Sequence, residues 1–350
     1  MSEVTGTGRH RADSARRWRR RGKAERPMVP KAEFTSYYGK PILNPPVWKA
    51  RDVGGYLFLG GLAGGSSLLA AGADLTGRPN LSRVAKSGAL TAGMMSVAAL
   101  VHDLGRPARF VNMMRVFKVT SPLSVGSWLL GGYVPAAGVA AGTALTGRLP
   151  RIGAAATATA ALLGPAVASY TAALISDTAV PAWHDGYPEM PFVFTGSAAM
   201  AAGGLGLLAA PTEESGPARN LALVGQVIEM TAFERMTHRI GMVAEPYHTG
   251  RAAMYVRAGQ VLGALGATGA ALTGIPAVAA GRRRRVLAAL SGAALMGASL
   301  ATRLGVFHAG LASAKDPKYT VVPQRQRLTE RAAAATAPAA PHEAAQLPPD

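Results

Sequence analysis

The chain has 350 residues, 49% of them hydrophobic and only 16% charged, with a net charge of +18. On a soluble protein that excess would point to nucleic acid, but here much of it lies in the N-terminal tail and C-terminal flank and the rest in short loops, which membrane anchoring explains more simply. There is no cysteine, which excludes disulfides, Cys-ligated iron–sulfur clusters and thiolate zinc sites.

Residues 1 to about 33 are basic and contain the run Arg16, Arg17, Trp18, Arg19, Arg20, Arg21. No apolar region follows within reach, so the Arg pair is not read as a twin-arginine signal. The segment reads as a disordered tail near an anionic membrane face. Between about Asp52 and Gly310 the sequence falls into about eight Ala/Gly/Leu/Val-rich stretches. A hydrocarbon core of about 30 Å needs roughly 20 apolar residues per helix, so the fold class is an all-α integral membrane protein.

The expected helices cover 54–74, 84–104, 124–146, 153–176, 192–211, 219–243, 255–280 and 285–309. Pro and Gly punctuate the joins, as in Gly77-Arg78-Pro79, Gly147-Arg148-Leu149-Pro150 and Gly186-Tyr187-Pro188. In helix 1, Gly60, Gly61, Gly64 and Gly65 form overlapping small-xxx-small pairs, which let helices approach closely in lipid. From about Lys315 onward the composition returns to Pro, Ala, Gln and charge and reads as a tail. An even helix number puts both termini on one side. The tail before Asp52 carries 13 Lys/Arg against 4 Asp/Glu, which favours cytoplasmic termini; the run Arg282–Arg285 on the opposite side argues the other way.

With that topology the unusual polar residues gather at one membrane border. Asp52 and Tyr56 share a face at the start of helix 1. His102 and Asp103 end helix 2, and Arg106 follows. Tyr170 and Asp177 lie near the end of helix 4, followed by Trp183 and His184. Helix 6 carries Gln226, Glu229 and Glu234, and helix 8 closes with Arg303 and His308. Helix-end charges and aromatic residues are common interface anchors. Glu229 is different: it lies well inside an apolar helix and needs a partner, a proton or a water-filled cavity. Gln226, three residues earlier, shares its face. A quinone, with an apolar tail and two carbonyl oxygens, suits such a border, because Tyr, His and Asp can hydrogen-bond the carbonyls and pass protons. A transporter or an ion path fits the composition too.

The stretch DLGRPARFVNMMRVFKVTSPLSVGSW, residues 103–128, resembles the NrfD/PsrC family, the membrane subunits of polysulfide reductase-type complexes. SYYGKPILNPPVWKARDVGGYLFLGGLAGGSSLLA (36–70) is similar to that family's entry into helix 1, and SYTAALISDTAVPAWHDGYPEMPFVF (169–194) to its helix 4–5 connection. The resemblance implies eight helices arranged as two four-helix bundles, here 52–183 and 184–311, between a basic N-terminal segment 1–51 and a disordered tail 312–350. It implies a quinone site (menaquinone or ubiquinone) near one membrane face, beside the docking surface of a ferredoxin-like Fe–S subunit that contacts a molybdopterin catalytic subunit. It also implies no haem and no cluster in this chain, and a place in the bacterial cytoplasmic membrane. Quinone contacts at the start of helix 1 and on helix 4 map to Asp52, Tyr56 and Tyr170, with His102, Asp103 and Arg106 as a neighbouring polar wall. The helix 1 pair departs from members that carry Asn and His. Asp177, Gln226, Glu229 and Glu234 are the candidates for proton transfer.

Two other functions compete. A haem-bearing cytochrome would need facing histidines, and His102, His238 and His308 all sit at helix ends on one side. A secondary transporter or proton-conducting protein is motivated by Glu229, Glu234 and Asp177, but such sites usually lie near the midplane between internal repeats, and no convincing repeat is present. Nucleophile elbow, metal-ligand spacing and phosphate loop are all missing from the sequence, so no catalytic residue is assigned and catalysis belongs to the complex.

Overall fold

The computed structural model describes residues 42–44, 46, 48–104, 108–277 and 280–336. The Arg-rich N-terminal run and Arg106 lie outside them. All regular structure among the described residues is helical. The long helices are α1 (Ala50–Leu75), α2 (Pro79–Asp103), α4 (Pro122–Thr146), α5 (Pro150–Ser176), α7 (Met190–Ala209), α8 (Gly216–Ile240), α10 (Gly250–Leu272) and α11 (Gly281–Lys315). Shorter ones are α3 (Ala108–Met113), α6 (Pro181–His184), a 3₁₀ turn (Gly241–Ala244), α9 (Glu245–His248) and α12 (Lys318–Thr336). Among the described residues six helices are long and apolar enough to cross a membrane: those at 52–75, 79–103, 122–146, 150–176, 190–209 and 281–315. Helix α8 is as long but carries Arg219, Glu229, Glu234, Arg235 and Arg239 along its length.

Several helices begin earlier than the hydropathy pattern suggests, and the cause is proline. Pro79, Pro122 and Pro150 each stand in the first turn of a helix, where the missing N–H costs no hydrogen bond and the fixed φ is already helical. They start helices rather than end them. Helix α10 stops at Leu272, short of the expected 280. Helix α11 runs to Lys315, beyond the expected 309, so Arg303 lies three turns inside it rather than at its end. The expected disordered tail from 312 is corrected as well: α11 continues to Lys315, and Lys318–Thr336 is a helix, with Pro323 inside it.

Helix α1 is the centre of the molecule, packing against α2, α5, α7 and α11. It can do so because its glycines bring backbones together. A Cβ on Gly64 would collide with the Gly164 carbonyl of α5, and one on Gly65 would lie 2.5 Å from the Ala198 carbonyl of α7. Without such contact, lipid gives helices little reason to associate. Tyr133 of α4 adds a polar tie, donating to the Ala63 carbonyl at 2.6 Å and meeting the Ser67 hydroxyl at 2.7 Å.

The two ends of the helices are fastened differently. At the far face, where α1 ends, Glu214 accepts from the Leu81 backbone N–H at 2.9 Å and from the Asn80 amide at 2.7 Å. It thereby satisfies donors that the start of α2 leaves unpaired. Arg285 donates to the carbonyls of Leu207, Leu208 and Ala210, which close α7. At the near face, where α1 begins, Trp183 is fully buried and donates to the Val306 carbonyl at 2.8 Å. Trp48 stacks on it with ring centroids 5.7 Å apart. Tyr247 donates to the Ala182 carbonyl at 2.9 Å. The middle of the connection 177–189, Val180 to Trp183, is therefore a packed plug, while Asp177, Ala179, His184, Tyr187 and Pro188 stay exposed.

Candidate functional site

The near face carries the centre of the site. Tyr56, one and a half turns into α1, donates its hydroxyl proton to the Tyr170 hydroxyl of α5 at 2.8 Å, in a buried contact. Gly126 of α4 makes this possible, because a Cβ there would fall inside the Tyr170 ring. Four residues before Tyr56, the Asp52 carboxylate lies 3.4 Å from His102 Nδ1 at the end of α2, with Asp52 15% and His102 71% exposed. Helical spacing thus puts a buried phenol pair and a half-sheltered Asp–His pair on the same side of α1.

Tyr170 opens onto a groove of about 690 Å³, lined by Val125 of α4, Ala173 of α5, Asp177 just beyond it, His184, Tyr187 and Pro191 among others. The walls are mostly apolar and the polar groups sit at the phenol end and at the rim. The His184 ring meets the Ser176 carbonyl at 3.1 Å through Nδ1, which fixes its orientation at the rim.

A second polar cluster lies between α8, α10 and α11. Gln226, Glu229, Phe233, Glu234, Gln260 and Thr302 line a more enclosed, smaller chamber of about 70 Å³. Glu229 is 7% exposed. Thr302 hydrogen-bonds its carboxyl and the charge of Arg303 faces it. Among the described residues Glu229 Oε2 and Gln226 Oε1 are buried without a hydrogen-bond partner, so the chamber presents unused acceptors to its contents.

Arg303, which sequence reasoning placed at a helix end, is fully buried. Its guanidinium donates to the Leu57 carbonyl at 2.7 Å and to the Phe194 carbonyl at 2.8 Å, and stands 4.6 Å above the Phe194 ring. It therefore touches α1 one residue from Tyr56, and α7, while facing Glu229 of α8. Gly61 leaves the space it occupies. The signal was present: a lone arginine inside an apolar stretch is a functional candidate by default.

The sequence-derived candidates thus divide. Tyr56 and Tyr170 touch, and Asp52 and His102 pair. Asp103 is exposed at the end of α2. Asp177 belongs to the groove beside Tyr170 rather than to the group of Gln226, Glu229 and Glu234. Outside the spans, the Glu189 carboxyl at the entry to α7 is bound by Arg239, whose Nη2 donates to Oε2 at 2.6 Å and Nε to Oε1 at 2.8 Å. These hydrogen bonds hold Glu189 below the ordinary carboxylate value of 4.5.

An all-helical chain with several membrane-length helices and polar clusters between them defines a polytopic membrane protein. The profile of the family described as Polysulphide reductase, NrfD, matches residues 42–312. The chain belongs to that family, whose members are membrane subunits of polysulphide reductase-type complexes. No curated protein matches the chain.

Proposed function

We propose that this chain is the quinone-interacting membrane subunit of a molybdopterin/Fe–S oxidoreductase, exchanging electrons between a partner Fe–S subunit and the quinone pool of the bacterial cytoplasmic membrane. The observation that carries this reading is the buried Tyr56–Tyr170 hydroxyl pair, opening onto an apolar groove at the membrane border. Bound there, a quinone supplies two-electron, two-proton redox chemistry. The chain's own residues supply the rest. Because Tyr56 donates to Tyr170, the Tyr170 O–H is left to turn into the groove and donate to a carbonyl oxygen. The apolar walls take the tail. The Asp52–His102 pair and Asp177, nearer to water, can carry protons between solvent and that end of the groove.

Supporting this, all eight long helices run as full-length rods packed in sequence-adjacent pairs, which suits eight spans grouped as 52–183 and 184–311. Cytoplasmic termini fit the basic N-terminal segment, and Arg285, spent on capping α7, weighs less against that orientation than its position suggests. The partner then docks at the near face.

The test is turnover of the purified complex with a quinol or quinone and, separately, with a soluble dye. Tyr170→Phe and Asp52→Asn should lower quinone-linked turnover about tenfold, the scale of one lost hydrogen bond of about 1.4 kcal/mol, and leave dye-linked activity intact. Equal turnover with quinone would remove these residues from the site. Affinity capture in mild detergent checks the partners: a cysteine-rich Fe–S protein and a molybdenum protein are the expected companions.

A second role is favoured by the chamber alone. Glu229 and Glu234 can load and release a proton, with Gln226 hydrogen-bonding beside them, in a space whose buried acceptors are unpaired. In liposomes, Glu229→Gln should keep quinone turnover and abolish coupled proton movement; loss of neither makes Glu229 structural.

A further inference from the structure

Helices α1, α2 and α7 leave an outward-facing groove of about 480 Å³ between them. Arg83, Gly88, Thr91 and Met95 of α2 line one wall, with Leu62 of α1 and Leu205 of α7 opposite. The four α2 residues follow one helical face, and the groove is apolar along its length with a single cation at its far-face end. Gly88 lets Leu205 press against α2, which shapes the floor.

Charge and length together identify the occupant. Lys86, the neighbouring cation, is neutralised by Asp74 at 2.7 Å, whereas Arg83 is exposed and has no acidic partner among the described residues. The stretch from Arg83 to Met95 rises about 18 Å at 1.5 Å per residue, close to the roughly 15 Å of one leaflet's hydrocarbon. We infer that this groove is a binding site for one anionic glycerophospholipid of the far leaflet, with its phosphate at Arg83 and an acyl chain lying along Gly88, Thr91 and Met95. This site rests on membrane embedding alone and is independent of the quinone reading.

Native mass spectrometry of the full chain in mild detergent tests it, with phosphatidylglycerol and phosphatidylcholine of identical acyl chains as probes. Wild type should retain one phosphatidylglycerol in preference to phosphatidylcholine. Arg83→Gln should weaken phosphatidylglycerol binding about fivefold, the scale of one cation beside an anionic headgroup, without changing phosphatidylcholine. Thr91→Trp, whose side chain is exposed in the groove, should displace both lipids. Thermal unfolding of each variant checks that it is folded. Equal retention of the two lipids by wild type, or undiminished phosphatidylglycerol in folded Arg83→Gln and Thr91→Trp, overturns the site. So does loss of co-purified quinone from Thr91→Trp with an unchanged phospholipid count, which would make the groove a quinone path.

Discussion

Arg303 decides how the interior is wired. A guanidinium with no exposure would be costly unless its donors found acceptors; two helix carbonyls accept from its terminal nitrogens, its Nε is left without a partner among the described residues, and the Glu229 carboxyl compensates its charge from nearby without a direct bond. Removing it strands a carboxylate in the interior. Leaving a buried charge uncompensated in this way costs about 3–5 kcal/mol, so Arg303→Ala should lower the thermal unfolding midpoint strongly. The double variant Arg303→Met, Glu229→Gln should recover much of the loss, because no buried charge is then left uncompensated; no recovery would mean the carbonyl bonds, and not the attraction between the two charges, carry the contribution. Gly126 sets a comparable constraint on the phenols. Gly126→Val should push the Tyr170 ring away from Tyr56 and depress quinone-linked turnover while dye-linked activity persists, and a variant with unaltered quinone kinetics would show that the ring position is not critical. The tyrosines and Glu229 were legible in sequence because polar residues stand out in apolar runs. The burial of Arg303 was not, since a six-residue error in where α11 ends moved it to the border.

At the scale of elements, the joins carry pH dependence. Glu189 ties the start of α7 to the end of α8 through Arg239, and its carboxyl is held below its ordinary value by those hydrogen bonds. A depressed folded value means the contribution is complete above the unfolded carboxylate value of 4.5 and is lost as pH falls below it through the folded value. Arg239 is 41% exposed, so the pair is worth on the order of 1 kcal/mol. Unfolding midpoints from pH 7 to pH 3 should fall more steeply for wild type than for Glu189→Gln; parallel profiles would assign the acid sensitivity elsewhere. Element boundaries show where sequence reasoning stops. Proline was read as punctuation between helices, whereas Pro79, Pro122 and Pro150 lie inside the first turn, the helical position that tolerates them. Helix α12 was missed because Pro323 and a low hydropathy hide it, and it is fastened by a contact no local pattern reveals, Lys318 Nζ to Glu245 Oε2 at 2.6 Å.

For the whole molecule the open question is the path of α8 and α10, which are less apolar than the six candidate spans. If neither crossed the membrane, the segment around α9 would stay on the far face with Arg148 and Glu213. Its contacts place it at the other end: Tyr247 meets Ala182 and Glu245 meets Lys318, both beside the plug at the near face. Helix α8 can cross despite its charges because Glu229 faces the interior, where Arg303 and Thr302 meet it, and Arg235 and Arg239 lie at the border beside Glu189. Only residues turned to lipid must be apolar, so a hydropathy average over the whole helix understates its fitness to span. Since the chain has no cysteine, single exposed cysteines report sidedness without background. With a membrane-impermeant maleimide on oriented vesicles, His248→Cys should label from the same side as Ala179→Cys and opposite to Arg148→Cys. Labelling of His248→Cys together with Arg148→Cys would reduce the spans to six and detach the Glu229 chamber from the membrane interior.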